Sequence, residues 1–183
     1  MLEPTPAQPA GPFYPASKPP ELDADLVSVA GKPHALGQIA LVSGRVLGTD
    51  GAPRAGALIE IWQCDFGGRY HHIDDEQEGL PDPGFQGYGA ALTDAEGSYR
   101  FRTIQPVPYA GRTPHIHVMV SAVGIHRLVT QLYVVGAPSN ARDGLFSRLA
   151  PDEQRRLLVD FQPAPGTEPG ARAGHFDIVV EAS

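Results

Sequence analysis

Between Tyr109 and His117 the run Tyr-Ala-Gly-Arg-Thr-Pro-His-Ile-His brings a phenol, a guanidinium and two imidazoles into one short stretch of chain. Those types suit a metal ion held by nitrogen and oxygen, with a fixed cation beside it to receive an anion. If residues 115 to 122 form a strand, its period of two puts His115, His117, Met119 and Ser121 on one face. Ile116, Val118, Val120 and Ala122 take the other face. The apolar side can enter a core while both imidazoles project together toward a single point.

A second phenol, Tyr70, follows Gly67-Gly68-Arg69 and completes a candidate donor set of Tyr70, Tyr109, His115 and His117. Free tyrosine titrates near ~10, so holding one as phenolate at pH 7 takes about 4 kcal/mol, and two take about twice that. A hard, highly charged cation supplies this. Ferric iron is therefore favoured over zinc, whose usual donors are thiolate, imidazole and carboxylate. The competing reading leaves the histidines as decoration of a polar strand face and the tyrosines as core or rim aromatics bonded to backbone.

Several further residues bear on the reading. Arg112 precedes His115 by three positions in a segment stiffened by Pro108 and Pro114, so it either aims a cation at a bound anion or is an ordinary solvated arginine. Gln131 sits in the apolar run Val129 to Val135 and needs a partner, either a bound ligand or a cross-strand backbone group. His71 and His72 read as exposed loop residues, and Asp74, Asp75, Glu76 and Glu78 after them as a solvated acidic run. Cys64 reads as a small buried residue rather than a nucleophile.

Strands must position these groups. Twenty-one glycines and nineteen prolines in 183 residues favour many turns joining short strands. Strands are expected over 38–47, 57–63, 98–104 and 126–135, with a closing strand carrying Phe176, Ile178 and Val180. One short helix is expected over 151–160, with Pro151 in its first turn and Asp152 and Glu153 near its start. Residues 163–174 read as a flexible loop. Residues 1–37 read as an extended arm, because Pro4, Pro6, Pro9, Pro12, Pro15, Pro19 and Pro20 fix φ and remove donors. Such an arm lies across a surface or reaches a neighbouring subunit. The pattern predicts one all-β catalytic domain, a β-sandwich of mixed short strands over 38–183, preceded by the arm.

Composition narrows the partners. Fourteen Lys and Arg against twenty-one Asp and Glu give a net charge of −7, which argues against nucleic acid. A single cysteine rules out an intrachain disulfide and a cysteine-based zinc cluster. No apolar run reaches ~18 residues and the first residues lack the look of a secretion signal, so no membrane partner is expected. The expected location is cytoplasmic, or secreted if a leader has been removed.

The chain resembles the intradiol ring-cleavage dioxygenases, the family of the protocatechuate 3,4- and catechol 1,2-dioxygenases. The likeness runs through Gly11-Pro12-Phe13-Tyr14-Pro15, Ser43-Gly44-Arg45-Val46, Ile59-Glu60-Ile61-Trp62-Gln63 and Gly68-Arg69-Tyr70. It continues through Asp82-Pro83, Phe85-Gln86-Gly87, Thr93-Asp94, Phe101-Arg102-Thr103-Ile104 to Tyr109, Pro114-His115-Ile116-His117 and Gln131-Leu132-Tyr133. The resemblance implies non-haem Fe(III) held by Tyr70, Tyr109, His115 and His117 with a solvent hydroxide, Tyr109 and His117 being axial. It implies a catechol that binds as a dianion in place of hydroxide and Tyr109, and that O2 opens to a cis,cis-muconate.

The implied catalytic residues are Tyr109, Arg112 and Gln131. Arg112 matches an arginine that stabilises charge on the activated ring, an effect often worth ~3 kcal/mol. Gly11, Pro12, Arg112 and Gln131 are the implied substrate contacts. The Gly11-Pro12 arm resembles a segment that lines the pocket from a partner subunit, which implies a homo-oligomer. Iron-lacking subunits of the family lose some ligands; this chain keeps all four. It departs from protocatechuate enzymes at Ala110 and Gly111, where a bulkier tryptophan-containing insertion is usual, and it has no room for the helical dimerisation domain of the catechol and hydroxyquinol enzymes. The rival readings are a metal-free β-sandwich binding module on the same scaffold, and a zinc hydrolase, which lacks a general-base carboxylate beside the histidines.

Overall fold

A computed structural model describes residues 1–18 and 23–182. Its ten strands are β1 (Ile39–Gly48), β2 (Leu58–Trp62), β3 (Tyr88–Leu92), β4 (Ser98–Ile104), β5 (His115–Ser121), β6 (Leu128–Val134), β7 (Leu158–Val159), β8 (Gln162–Pro163), β9 (Arg172–His175) and β10 (Ile178–Val180). Among the described residues the one α-helix is α1 (Pro151–Leu157). The architecture is the expected all-β sandwich, built from two five-stranded sheets.

In the first sheet β1 pairs antiparallel with β4 along one edge and parallel with β9 and then β10 along the other. The hand-over between β9 and β10 passes Gly44, where any Cβ would collide with the Phe176 carbonyl, so only glycine lets the two backbones approach. The second sheet has the order β3-β2-β5-β6-β7. Ile59, Ile61, Ile116, Val118, Val120 and Leu132 of the second sheet pack with Val42, Val46, Phe101 and Ile178 of the first. Each such side chain contributes roughly 1.5–3 kcal/mol by leaving water.

The structure departs from the sequence expectation in three elements. The helix stops at Leu157, because Leu158 turns extended and pairs with Tyr133 in β6. The stretch expected to be a flexible loop gives residues to β8 and β9, whose pairing joins Gln162 to Ala173 and Pro163 to Arg172. β3 was not expected: Tyr-Gly-Ala-Ala-Leu has no period-two contrast and is a strand through its register with β2.

The arm folds back over its own chain. Thr5 N–H donates to the Val179 carbonyl at 2.9 Å, Gln8 N–H to Val129 at 2.8 Å, and Thr130 Oγ1 to the Pro6 carbonyl at 2.7 Å. Further along, Leu26 and Val27 enter the main core. Pro19 and Pro20 lie outside the described residues. Among the described residues no helix is long and apolar enough to cross a membrane.

Candidate metal centre

The site stands on the face of β5 that points away from the sandwich core. His115 and His117 are both buried, as is Met119, while Ile116, Val118 and Val120 face inward as the alternation predicts. The Nε2 atoms of the two imidazoles lie 3.3 Å apart. His115 Nδ1 is 2.6 Å from the Thr113 carbonyl. A carbonyl only accepts, so Nδ1 carries the proton and Nε2 presents a bare lone pair. His117 packs face to face on Trp62, with centroids 4.9 Å apart and planes 5° apart.

Burial, with Arg112 adding repulsion, pushes His115 down to about 4. Burial, then the neighbouring His115 and Arg112, holds His117 well below the ordinary imidazole range. Both rings are therefore neutral near pH 7, which is the form that binds metal.

The phenols arrive from two loops. Gly68 has a positive φ of 79° and passes so close to Tyr109 that an added Cβ would sit 3.3 Å from its Cβ. This tight turn delivers Tyr70, whose N–H donates to Asp75 Oδ2 at 2.6 Å. Asp75 is thus buried rather than part of a solvated acidic run, and Arg69 lies 3.4 Å from it. His72, expected to be an exposed loop residue, is instead largely covered, with its ring 5.8 Å from that of Phe13.

The rings of Tyr70 and Tyr109 meet edge to face at 5.0 Å, Tyr109 lies 5.5 Å from His115 and Tyr70 6.3 Å from His117, centroid to centroid. Tyr70 Oη is buried with no hydrogen-bond partner among the described residues. Burial raises Tyr70 well above the usual phenol range, and also raises Tyr109, against the opposing pull of Tyr70 and Arg112. Neither phenol ionises near neutrality by itself. A bound cation would supply what the orphaned oxygen lacks, so the residues present fit a hard metal ion. Among the described residues no group of three or more His, Cys, Asp and Glu converges on a common point, so the neighbours of the two imidazoles are phenols.

Tyr109 and Arg112 face each other across a two-residue hairpin, closed by Arg112 N–H to the Tyr109 carbonyl at 2.7 Å. Both central residues are left-handed, Ala110 at φ 42° and Gly111 at φ 80°. Holding alanine there costs about 1–2 kcal/mol. Arg112 is not a solvated arginine. Its Nε donates to Asp143 and its Nη2 to Gln131 Oε1, each at 2.7 Å. Burial pushes the Asp143 carboxyl up, but bonds from Phe146 N–H, Arg112, Thr113 N–H and Leu145 N–H outweigh it and hold it at about 2.

Gln131 finds its partners in Arg112, in Tyr133 Oη at 3.1 Å, and in the arm, where its Nε2 donates to the Pro9 carbonyl at 2.9 Å. Gly11, at φ 69°, comes so near His117 that an added Cβ would lie 3.3 Å from Cε1. Pro12 is exposed beside it, and Phe13 stacks on Tyr70 at 4.6 Å. An open depression of about 340 Å³ is bounded by Tyr109, Arg112, Ser139 and Arg142.

Sequence reasoning missed four contributors. Asp143 and Asp75 act through loop contacts that no spacing announces. Trp62 was legible in principle, since the alternation of β2 puts it on the same side as Glu60. Phe13 was visible only as part of the arm motif. Cys64 is buried, and burial raises its thiol to about 12, so it is no nucleophile.

A family profile described as "Dioxygenase" matches residues 10–182. The protocatechuate 3,4-dioxygenase beta chain of Burkholderia cepacia is 40% identical to this chain, covering 92% of it and 76% of the relative. The chain belongs to the intradiol ring-cleavage dioxygenases. Among other members of the family, a hydroxyquinol 1,2-dioxygenase of Corynebacterium glutamicum is 37% identical over 93% of this dioxygenase chain and 61% of its own length. Catechol 1,2-dioxygenase 2 of Acinetobacter lwoffii is 35% identical, and only 51% of it is covered. The dioxygenase domain of a dioxygenase carbohydrate-binding protein fusion from Streptomyces sp. SirexAA-E superposes with a TM-score of 0.75 at 37% identity, covering 99% of this chain and 100% of that one. This dioxygenase thus spans that domain in full and about half to three quarters of the three curated relatives.

Proposed function

We propose that this chain binds Fe(III) through Tyr70, Tyr109, His115 and His117 and cleaves protocatechuate or a related catechol between its hydroxyls with O2, giving a cis,cis-muconate. The observation that carries the reading is the meeting of two neutral, buried imidazoles, with Nε2 atoms 3.3 Å apart, and a buried phenol oxygen that has no hydrogen-bond partner among the described residues. When bound, ferric iron supplies the Lewis acidity that makes phenolate and catecholate stable at neutral pH and draws electron density from the ring.

The protein residues do the rest. Tyr109, the less buried phenol, adjoins the open depression and is the group whose Oη can take a proton from an entering catechol. Arg112 keeps a permanent positive charge at the edge of the same space. Asp143 and Gln131 hold it from behind, so no reorganisation is needed when negative charge develops on the ring. Gln131 also ties that charge to the arm through Pro9, and Gly11 brings the arm backbone up against His117. The enzyme assembles as a homo-oligomer in which each arm lies over the site of its own chain.

The test is direct. Protein reconstituted with ferric iron should turn wine red from tyrosinate absorption and consume O2 with a panel of substituted catechols. A colourless protein that takes up no iron would end this reading; a red protein inert to every catechol would end the assignment of substrate. Replacement of Tyr109 by Phe should shift the colour and slow turnover, and an unchanged spectrum would remove this tyrosine from the donor set.

A further inference from the structure

The two imidazoles of the centre are oriented by different physics. His115 is fixed by the bond between its Nδ1 and the Thr113 carbonyl at 2.6 Å. His117 Nδ1 is buried and has no hydrogen-bond partner among the described residues. Nothing directional therefore acts on that nitrogen. Trp62, the register partner of His117 on β2, is stacked on the face of the ring at 4.9 Å and 5°, and His115 meets it edge-on at 4.9 Å and 79°. Gly11 closes the Cε1 edge. Trp62 is itself wedged in place, with Tyr14 packed edge-on at 4.9 Å and 76°.

We propose that Trp62 is the positioning residue for His117: its indole face sets the imidazole plane, and so the direction of Nε2, in place of the hydrogen bond that a metal-bound histidine usually makes through its other nitrogen. This rests on His117 being a metal ligand and goes beyond it by ranking the two donors. His115 has a carbonyl behind it and is the more basic and more rigid. His117 has an aromatic face and the Gly11 edge behind it in place of a hydrogen bond, and is the weaker donor.

Trp62 is the only tryptophan of the chain, so its emission reports on this one contact. The experiment titrates apoprotein with ferric iron against a competing chelator and reads both the tyrosinate absorption and the tryptophan emission. In the wild type, iron should quench the emission in step with the rise in absorption. Trp62→Leu, which keeps bulk and removes the plane, should bind iron about ten- to a hundredfold more weakly, the range seen when the support of a metal ligand is lost. Trp62→Phe should recover most of the affinity.

The decisive readout is the double variant. Adding Trp62→Leu to His117→Ala should cost nothing further, whereas adding it to His115→Ala should cost its full factor. Equal iron affinity in the leucine variant overturns the proposal, as does an equal loss with and without His117. If the leucine variant does not fold by circular dichroism, the phenylalanine and tyrosine variants carry the test: affinity that does not follow ring overlap overturns it. Wild-type protein that binds no iron would instead sink the metal assignment itself, leaving the two failures distinguishable.

Discussion

Ile116, Val118 and Val120 on one side of β5 and His115, His117 and Met119 on the other are all withdrawn from water, yet different material covers them. The inner side meets a second sheet, aliphatic against aliphatic. The outer side meets a thin layer of strand ends, loops and arm: Trp62, Cys64, Tyr70 and Tyr88, with Phe13, Tyr14 and Tyr109 at its edge. Aliphatic burial is non-directional and tolerates exchange at constant volume. The outer layer is directional, because almost every member is fixed by a named hydrogen bond or ring contact. Stability and chemistry are thus assigned to opposite sides of one seven-residue strand.

Four changes test that division, three in falling order of expected effect and a fourth read by its pH dependence. Ile116→Ala should cost about 2–5 kcal/mol in denaturant unfolding while the reconstituted protein stays coloured. A matching loss of iron would show that the two sides are not independent. Arg112→Ser should slow ring cleavage by about 10²–10³-fold at unchanged iron content. Should iron and rate fall together, Arg112 supports the fold rather than the charge on the ring.

Tyr14→Phe removes the bond from Tyr14 Oη to Glu60, 2.9 Å long, and should cost about 0.5–1.5 kcal/mol. Hydrogen exchange should quicken in residues 1–18 and not in β5; uniform quickening would contradict a separately held outer layer. The fourth effect is one of acidity. Asp143 is held at about 2, below the ~3.9 of an unfolded aspartate, so its contribution is complete above pH ~4 and is lost as the pH falls through 2. Asp143→Asn should flatten that part of the acid unfolding curve, and a curve of unchanged slope would remove Asp143 as its source.

The inner side was legible in the sequence because alternation is a local property: the strands 98–104 and 115–121 follow from period-two patterning alone. The four proposed donors came from residue chemistry and the family resemblance, and the structure brings their rings into one cluster. What stayed hidden depended on distant contacts. Nothing near Asp143 announces Arg112, thirty-one positions earlier, and nothing in Asp74-Asp75-Glu76 marks the middle residue as the one that turns inward to hold Tyr70. β3 and β9 were missed for a related reason, since Tyr-Gly-Ala-Ala-Leu and Arg-Ala-Gly-His become strands only through the partners they pair with.

The segment from Gly11 to Tyr14 lies against the Tyr70, Trp62 and His117 of its own chain. A wall joined covalently to what it encloses is present at an effective concentration set by tether length, of the order of millimolar, however thin the solution becomes. Turnover per molecule should accordingly hold level through serial dilution, where a catalyst borrowing that wall from a neighbour would fade.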